Sequence, residues 1–329
     1  MYASRLLVAA VAHLRVFETL HDGPHTLESL RGALNLADRP SQVLFPSLRA
    51  MGLMDVDAAG IVRVTPLGGF LTQREPAHLI NYVGLEADDP GVVAMAQLLR
   101  HDGSDSGAPV AFVKDDTAPS PMDDPGPARA FTHALAGRAK LLAPLVARSM
   151  PGGRHLLDVA CGTGLFAYEW LRLNAHARAT LLDRPAVLDV AREMLERFAG
   201  QNAAAATVSA RVLFLPGDML HDALPDADVV LAASVFHDWP ETVCASLMRR
   251  LAGALPVGGT LLVHDSFLSD AMDGPLAASN YSAQLFWHTK GRLYSRGEFS
   301  RWMVAAGLRA APGLVPTGLD YALMSAMKL

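Results

Sequence analysis

The stretch Leu156-Leu-Asp-Val-Ala-Cys-Gly-Thr-Gly-Leu-Phe166 decides the fold of this chain. An apolar run enters a loop with two glycines and continues directly into a helical pattern. An uninterrupted apolar run is typical of a strand that is buried on both faces of a parallel sheet. Gly162 and Gly164 allow the main chain to approach a ligand closely, and the start of the next helix offers unpaired N–H groups. The stretch therefore predicts a strand, a loop and a helix that bind a ligand.

The glycine loop does not match the fingerprints of pyrophosphate binding. No third glycine completes a G-x-G-x-x-G pattern, and no Gly-Lys-Ser/Thr follows. Asp158 at the end of the strand has no purpose in a dinucleotide site, but its carboxylate could hold a cationic amino-acid head group. Such a loop is also an ordinary turn in many α/β proteins, so its neighbours decide the interpretation.

The chain around this loop alternates between strands and helices, which predicts an α/β fold with a parallel sheet and helices on both faces. The predicted strands are His155–Ala160, Ala179–Asp183, Ala210–Leu215, Val229–Ser234 and Thr260–Asp265. The predicted helices between them are Phe166–Leu173, Ala186–Phe198 and Glu241–Leu255. A helix over Glu298–Ala306 and two closing strands, Ala310–Val315 and Tyr321–Met327, complete the pattern.

Acidic residues stand at the ends of successive strands. Asp183 ends the second strand, 19 residues after Gly164, where a carboxylate can bind both hydroxyls of a ribose. Asp218 and Met219 follow the third strand and could lie beside an adenine ring. Each acid alone fits a turn or a helix cap equally well. Together with Asp158 they mark the carboxyl ends of three neighbouring strands, where an open α/β sheet binds its ligand.

The fourth strand ends in Val235-Phe-His-Asp-Trp-Pro-Glu241, which places His237 at the same edge of the sheet. A histidine there can remove a proton near neutral pH, although it could also cap the next helix. Asp265 at the end of the fifth strand is the nearest candidate to orient it. His264 and the pair His221–Asp222 raise the alternative of a metal site, but their spacing matches no usual ligand pattern, so no metal is expected.

The first 70 residues predict three helices and a β-hairpin, which is the pattern of a winged helix. Thr26 is a candidate N-cap of the second helix. A DNA-binding regulator is therefore an alternative, but the third helix carries only Arg39 and Arg49 and lacks the stripe of cations that phosphate contacts need. A proline- and aspartate-rich loop over Asp115–Gly126 and a long helix follow, and the expected domains are residues 1–150 and 151–329.

Composition excludes several classes of protein. The chain has 329 residues, of which 51% are hydrophobic and 19% charged, which is enough for a large core. A net charge of -5 argues against a nucleic-acid partner. Two cysteines provide no disulfide framework, and no apolar run is long enough to span a membrane. We expect a cytoplasmic protein with no membrane partner.

Motifs along almost the whole chain resemble those of the S-adenosylmethionine-dependent O-methyltransferases, a family of plant caffeate-type and bacterial natural-product enzymes. These enzymes join an N-terminal, mainly helical winged-helix dimerisation domain to a Rossmann-like, class I methyltransferase sheet. The matching motifs are Thr65-Pro-Leu-Gly-Gly-Phe-Leu, Asp158-Val-Ala-Cys-Gly-Thr-Gly, Leu182-Asp-Arg-Pro, Gly217-Asp-Met, His237-Asp-Trp-Pro, Pro256-Val-Gly-Gly-Thr-Leu-Leu and Arg296-Gly-Glu-Phe.

The resemblance implies a role for each candidate residue. The residues expected to bind S-adenosylmethionine, which becomes S-adenosylhomocysteine, are Asp158, Gly162 and Gly164 at its amino-acid end, Asp183 at the ribose, Asp218 and Met219 at the adenine, and Ser234. His237 matches the general base, and Asp265 matches one of two acids beside it. Two positions depart from the family: Leu293 replaces the second acid, and Ala233 replaces a basic residue four positions before the histidine.

The resemblance also implies a small aromatic acceptor, phenolic or polyketide-like, whose hydroxyl is methylated. The expected pocket residues are Phe131, Leu135, Arg138, Trp239, Tyr281, Leu285 and Phe286, with Arg138 open to a surface role as well. A homodimer through the N-terminal domain is expected, with the apolar face of Leu6–Leu20 buried against the partner. Methylation of nitrogen or carbon, and hydroxylation, decarboxylation or pericyclic chemistry with the cofactor retained, stay open as alternatives.

Overall fold

The computed structural model describes residues 2–102, 120–201 and 203–329, which fall into two compact units. The first consists of the described part of Met1–Ala111 and of Leu268–Ser295. The second consists of the described part of Phe112–Phe267 and of Arg296–Leu329. This division differs from the predicted boundary at residue 150 in two respects: the helix before that residue packs in the core of the second unit, and the chain returns to the first unit over Leu268–Ser295. Most of the predicted loop over Asp115–Gly126 lies outside the described residues.

Helices and strands are numbered in chain order. The α-helices are α1 Tyr2–Val8, α2 Val16–Asp22, α3 Leu27–Ala33, α4 Asp38–Ala50, α5 Pro66–Gly69, α6 Ile80–Val83, α7 Pro90–His101, α8 Pro125–Ser149, α9 Leu165–Leu173, α10 Pro185–Ala199, α11 Ala203–Ala206, α12 Glu241–Gly253, α13 Leu276–His288 and α14 Arg296–Ala305. The strands are β1 Met54–Val56, β2 Val62–Val64, β3 His155–Val159, β4 Arg178–Asp183, β5 Val212–Pro216, β6 Val229–Ala233, β7 Thr260–Asp265, β8 Leu308–Ala310, β9 Val315–Gly318 and β10 Tyr321–Lys328.

The first unit contains the second and third predicted helices, as α3 and α4, and the predicted antiparallel hairpin β1–β2. The side chain of Thr26 caps α3 by accepting a hydrogen bond of 3.1 Å from the backbone N–H of Ser29, which confirms the predicted cap. Leu6–Leu20 is not one helix, because a π-helical turn over Ala9–His13 and a left-handed Arg15 separate α1 from α2.

The apolar face of these first helices is buried inside the first unit. Leu6, Val16 and Phe17 are each at most 1% exposed, and they share a core with α4, α7 and α13. The expectation that this face is left for a partner subunit is therefore wrong. Its apolar surface is already removed from water by helices of the same unit.

The second unit is built on a sheet with the strand order β5-β4-β3-β6-β7-β10-β8, and β9 pairs with β10. Strands β3 to β7 are parallel, whereas β10 is antiparallel to its neighbours. The five parallel strands confirm the predicted α/β fold. The predicted strand Ala310–Val315 is wrong, because Pro312 and Gly313 separate β8 from β9.

Chain order reverses on either side of β3, which pairs with β4 on one side and β6 on the other. The parallel strands all end at one edge of the sheet, here called the carboxyl edge. Helices α8, α9 and α10 cover a face of the sheet and bury Tyr168 and Trp170 completely. Among the residues that the structure describes, no helix is long and apolar enough to cross a membrane.

Candidate active site at the carboxyl edge

Asp158 carries a buried carboxylate near the end of β3. Its residue exposure is 1%, and Oδ2 has no hydrogen-bond partner among the described residues. Burial raises the pKa of Asp158 to about 8, and the negative charge of Asp183 acts in the same direction. Because an unpaired buried carboxylate is costly, a bound cation would relieve this arrangement.

The two glycines of the loop after β3 differ in what surrounds them. Both have left-handed backbone angles, with φ of +54° at Gly162 and +72° at Gly164. A Cβ on Gly164 would lie 2.3 Å from Oη of Tyr168, whereas a Cβ on Gly162 would have no described atom within 4 Å. Gly164 therefore permits close packing of α9, while Gly162 leaves open space beside Asp158 and Asp183 for a ligand.

Asp183 connects the glycine loop to β4. Its Oδ2 accepts a hydrogen bond of 2.8 Å from the N–H of Gly162, and its Oδ1 accepts one of 2.7 Å from the N–H of Arg184. Burial raises the pKa of Asp183 to about 6, although both N–H donors favour the charged form. A carboxylate offers about four acceptor sites, so two remain for the hydroxyls of a ligand.

The acid after β5 is held by an arginine that the sequence analysis did not assign. Arg184 pairs with Asp218 at 3.0 Å and with Asp123 at 2.5 Å. Asp218 also accepts a hydrogen bond of 2.9 Å from the N–H of Leu220. Arg184 directly follows Asp183 inside the quoted Leu182-Asp-Arg-Pro motif, and that position was the signal that could have identified it.

Two further predicted cofactor residues lie near strand ends. Met219 is half-buried, and its carbonyl accepts a hydrogen bond of 3.0 Å from Arg250. Ser234 follows β6 with a left-handed φ of +58°, and its N–H donates to the carbonyl of His264 at 2.8 Å. The contacts of both residues with a cofactor stay predictions.

His237 lies in the 3-10 turn Phe236–Asp238 directly after β6 and is 4% exposed. Its Nδ1 is 2.7 Å from Oδ1 of Asp265, which also accepts a hydrogen bond of 2.8 Å from the N–H of Ser266. Because an ionised carboxylate can only accept, this contact assigns the proton to Nδ1 and the lone pair to Nε2. A histidine held in this tautomer is suited to act as a general base.

Two more groups flank His237. Oδ1 of Asp238 lies 3.6 Å from Nε2 of His237. No role for Asp238 was predicted from the sequence. Arg138 on α8 donates a hydrogen bond of 2.5 Å to Oη of Tyr321. Desolvation raises the pKa of Asp238, and the positive charges of His237 and Arg138 partly oppose this rise. Both residues belong to the second unit, as His237 does.

His264, the residue before Asp265, is packed in the interior of the second unit. His264 is fully buried, with Nε2 2.8 Å from Oγ1 of Thr317 and its ring stacked on Tyr321. Burial lowers the pKa of His264 to about 4, so the ring is neutral near pH 7. Asp222, the other part of the metal alternative, accepts a hydrogen bond from the N–H of Asp218. Within the described ranges no cluster of His, Cys, Asp or Glu is arranged to hold a metal ion.

The predicted pocket residues divide between the two units. Those of the second unit are Phe131, Leu135, Arg138 and Trp239, and those of the first are Tyr281, Leu285 and Phe286. Phe286 is 1% exposed in the core of the first unit, with the guanidinium of Arg39 4.5 Å from its ring centre. Leu285 packs in an apolar cluster with the fully buried Leu293. A shared pocket of these residues stays a prediction.

Comparison with known proteins gives a consistent result. The model of a family described as an O-methyltransferase domain matches residues 120–309. A crystal structure of a family 2 O-methyltransferase protein from Planctomyces limnophilus, in complex with apigenin, is 34% identical. That comparison covers 100% of this chain and 93% of the other, with a TM-score of 0.88.

Two further proteins are informative. The 3-hydroxy-5-methyl-1-naphthoate 3-O-methyltransferase of Streptomyces sahachiroi is 27% identical over 93% of this chain and 86% of its own length. The structure of human N-acetylserotonin methyltransferase in complex with S-adenosylmethionine is 22% identical, with a TM-score of 0.59 over 99% of this chain and 93% of its own. At that identity the human structure supports the fold alone.

Proposed function

The chain belongs to the O-methyltransferase family, and from this premise we propose that it transfers the methyl group of S-adenosylmethionine to the hydroxyl of a small aromatic acceptor. The observation that carries the proposal is the hydrogen bond of 2.7 Å between His237 and Asp265 at the same sheet edge as the unpaired carboxylate oxygen of Asp158. A base and a site for a cationic head group therefore share one edge of the sheet.

The residues at this edge suit the proposed cofactor. Asp158 would bind its ammonium group, because Oδ2 is buried without a partner among the described residues. Asp183 would accept hydrogen bonds from the ribose hydroxyls, and Asp218 and Met219 would contact the adenine. When bound, the cofactor supplies an electrophilic methyl group on a sulfonium.

His237 would remove the proton of the acceptor hydroxyl through Nε2. Asp265 holds the ring in the required tautomer and would stabilise the imidazolium that forms, since the two groups share a buried hydrogen bond. General-base help of this kind is worth about 10²–10⁴-fold in rate. Alignment of the oxygen with the methyl carbon would supply much of the remaining acceleration.

An aromatic hydroxy compound is the acceptor class that we propose. The relative from Streptomyces sahachiroi is named for a hydroxynaphthoate, and the Planctomyces limnophilus structure contains apigenin. Phe131 and Leu135 are partly exposed on α8 of the second unit, which also carries Arg138, whereas Trp239 is 9% exposed. The contributions of Tyr281, Leu285 and Phe286 stay predictions.

We also propose that two copies of the chain associate through the first unit. Large apolar side chains are exposed along one segment of it: Leu67, Phe70, Leu79, Tyr82 and Leu85. Exposed apolar side chains concentrated in one segment are typical of a protein–protein contact. Light scattering should give a molar mass of twice that of the chain. In the Leu85→Glu variant the measured mass should fall toward that of a single chain. A monomeric wild-type protein would contradict the dimer and leave the enzyme proposal intact.

Calorimetric titration followed by an acceptor assay tests the proposed function. We expect S-adenosylmethionine and S-adenosylhomocysteine to bind, and apigenin or 3-hydroxy-5-methyl-1-naphthoate to gain the mass of one CH₂ group on oxygen. The matched arylamine identifies nitrogen methylation. Binding with no methylated product would favour the non-methylating chemistries. Absence of binding would overturn the proposal and return attention to the DNA-binding regulator, which a salt-dependent shift of a random duplex would reveal.

A further inference from the structure

The family resemblance predicts two acids beside the base, and one of them is absent from its expected position. Position 293 is a leucine, fully buried in an apolar cluster with Leu268 and Leu285. The structure nevertheless places a second carboxylate on His237. Asp238 Oδ1 lies 3.6 Å from Nε2, on the opposite side of the ring from Asp265.

We propose that Asp238 receives the proton from Nε2 of His237 after each methyl transfer and delivers it to solvent. This inference rests on the proposed function, because it assigns a route to the proton that the base removes. Asp238 is a positioning and relay residue in this proposal, since its contact is with the base.

Exposure along the three side chains supports this direction of transfer. The side chains of Asp265 and His237 are 2% and 5% exposed, whereas that of Asp238 is 39% exposed. A proton held by His237 lies in a buried group, and Asp238 joins that group to water. Asp265 is the more deeply buried acid, so it is suited to hold the ring and Asp238 to exchange with solvent.

The distance of 3.6 Å is within ion-pair range but longer than a hydrogen bond. At this distance Asp238 forms no hydrogen bond with Nε2 in the structure. Once Nε2 carries a proton, the attraction between imidazolium and carboxylate favours closing this gap.

The charges around Asp238 adjust its strength as an acid. Partial desolvation raises its pKa although 39% of the side chain is exposed, and the charge of Asp265 acts in the same direction, while the positive charges of His237 and of Arg138 on α8 oppose both. This rise brings the pKa of the carboxyl group closer to the pKa of an imidazole. Proton transfer between groups of similar pKa is more favourable than transfer to an ordinary aspartate.

The acceptor oxygen forms a bond to the methyl carbon, its proton passes to Nε2, and the electron pair of the broken carbon–sulfur bond stays on sulfur. The proton then moves from Nε2 to the Asp238 carboxylate and from there to water. His237 and Asp238 both return to their starting states, and no further reactant is needed.

Asp238→Asn tests the proposal, because it preserves the shape of the side chain and removes its ability to take a proton. We expect kcat to fall by about tenfold or more while KM for the acceptor and Kd for the cofactor stay the same. Small diffusible bases such as formate or imidazole should restore turnover in proportion to their concentration. The matched control Asp189→Asn removes an exposed aspartate paired with Arg192 on α10 of the same unit, and it should show neither effect.

A spectroscopic measurement separates this proposal from the proposed function. The ¹⁵N imidazole signals of His237 should titrate at lower pH in Asp238→Asn than in the wild-type protein, because a stabilising negative charge has been removed. The titration of His237 can be measured without any acceptor. A failure to methylate every acceptor tested would therefore count against the proposed function and not against the role of Asp238. An unchanged titration, a rise in KM with kcat preserved, or turnover that does not respond to added base would overturn the role of Asp238.

Discussion

The two edges of the sheet in the second unit both carry aspartates, but the carboxylates differ in how completely they are hydrogen-bonded. At the amino edge, a groove of about 670 Å³ is lined by arginines, histidines and aspartates, among them Arg154, His155, Arg178 and Asp228. There Asp228 Oδ2 accepts hydrogen bonds of 3.0 Å from the N–H groups of both Arg154 and His155. The carboxylate is paired with the main chain of the unit itself.

At the carboxyl edge, the acids are more deeply buried and less completely paired. Asp158 and Asp265 each have a buried Oδ2 with no hydrogen-bond partner among the described residues. An unsatisfied buried polar atom costs about 1–3 kcal/mol, more when charged, so a ligand that pairs with these two oxygens would remove that cost. The two edges therefore differ in how completely their carboxylates are paired within the protein.

The largest expected effect concerns the base of the carboxyl edge. His237→Gln should lower kcat by about 10²–10⁴-fold, because the side chain keeps hydrogen-bonding groups but cannot take a proton. Cofactor affinity should hold, since the strand-end acids of β3 and β4 are unchanged. Single-turnover assays with calorimetry on the same sample check both parts. A variant that turns over at the wild-type rate would remove His237 from the proposed mechanism.

The next effect concerns the unpaired acid of that edge. Asp158→Asn should weaken binding of S-adenosylhomocysteine by about 10–100-fold, because a charge-assisted hydrogen bond to the ammonium group is lost. Calorimetry of the variant against the wild-type protein measures the change. Equal affinity of the two proteins would mean that the buried oxygen of Asp158 is not a ligand site.

The pH dependence of binding is a sharper form of the same prediction. The pKa of Asp158 is about 8 without ligand, so this residue is largely protonated at pH 6 and increasingly charged as pH rises. Affinity should therefore increase about tenfold between pH 6 and pH 7, where an α-amino group is still mostly protonated. Asp183, with a pKa of about 6, adds to the lower part of this trend. In the Asp158→Asn variant only the pH dependence that comes from Asp183 should remain.

The same acid should lower the stability of the ligand-free protein near neutral pH. The folded state holds the Asp158 proton up to about pH 8, whereas the unfolded chain releases it near the ordinary aspartate pKa of 3.8. The contribution of this residue to stability therefore falls between these limits as pH rises. At pH 7.5, Asp158→Asn should raise the free energy of unfolding by about 1–3 kcal/mol. Denaturation at pH 5 and pH 7.5 measures this, and a difference that does not grow with pH would contradict it.

The smallest effect belongs to the amino edge. Asp228→Asn should lower the free energy of unfolding by about 1 kcal/mol, because it weakens two hydrogen bonds to main-chain N–H groups. Cofactor affinity and kcat should stay at the wild-type level. If Asp228→Asn weakened cofactor binding as strongly as Asp158→Asn, the distinction between the two edges would fail.

Several contacts were outside the reach of sequence reasoning. The motif around Asp183 was recognised, but its arginine was not given a role, because the partners of Arg184 lie 61 and 34 residues away in the chain. Asp238 was overlooked for a different reason. The role of a base was assigned to its neighbour His237, and the 3-10 turn Phe236–Asp238 is what brings the two side chains close together. The apolar face of Leu6–Leu20 was assigned to a partner subunit, although α7 and α13 cover it.

The sequence by itself determined the parallel strands, the glycine loop and the residue types at each strand end, because strand periodicity and glycine chemistry are local properties. Only the tertiary structure decided which carboxylate oxygens are paired, that His237 is held by Asp265, and that the first helices bury their apolar face internally. The physical reason is that pairing and burial depend on distances between residues far apart in the chain. Those distances are set when the strands take their places in the sheet and the helices pack on one another.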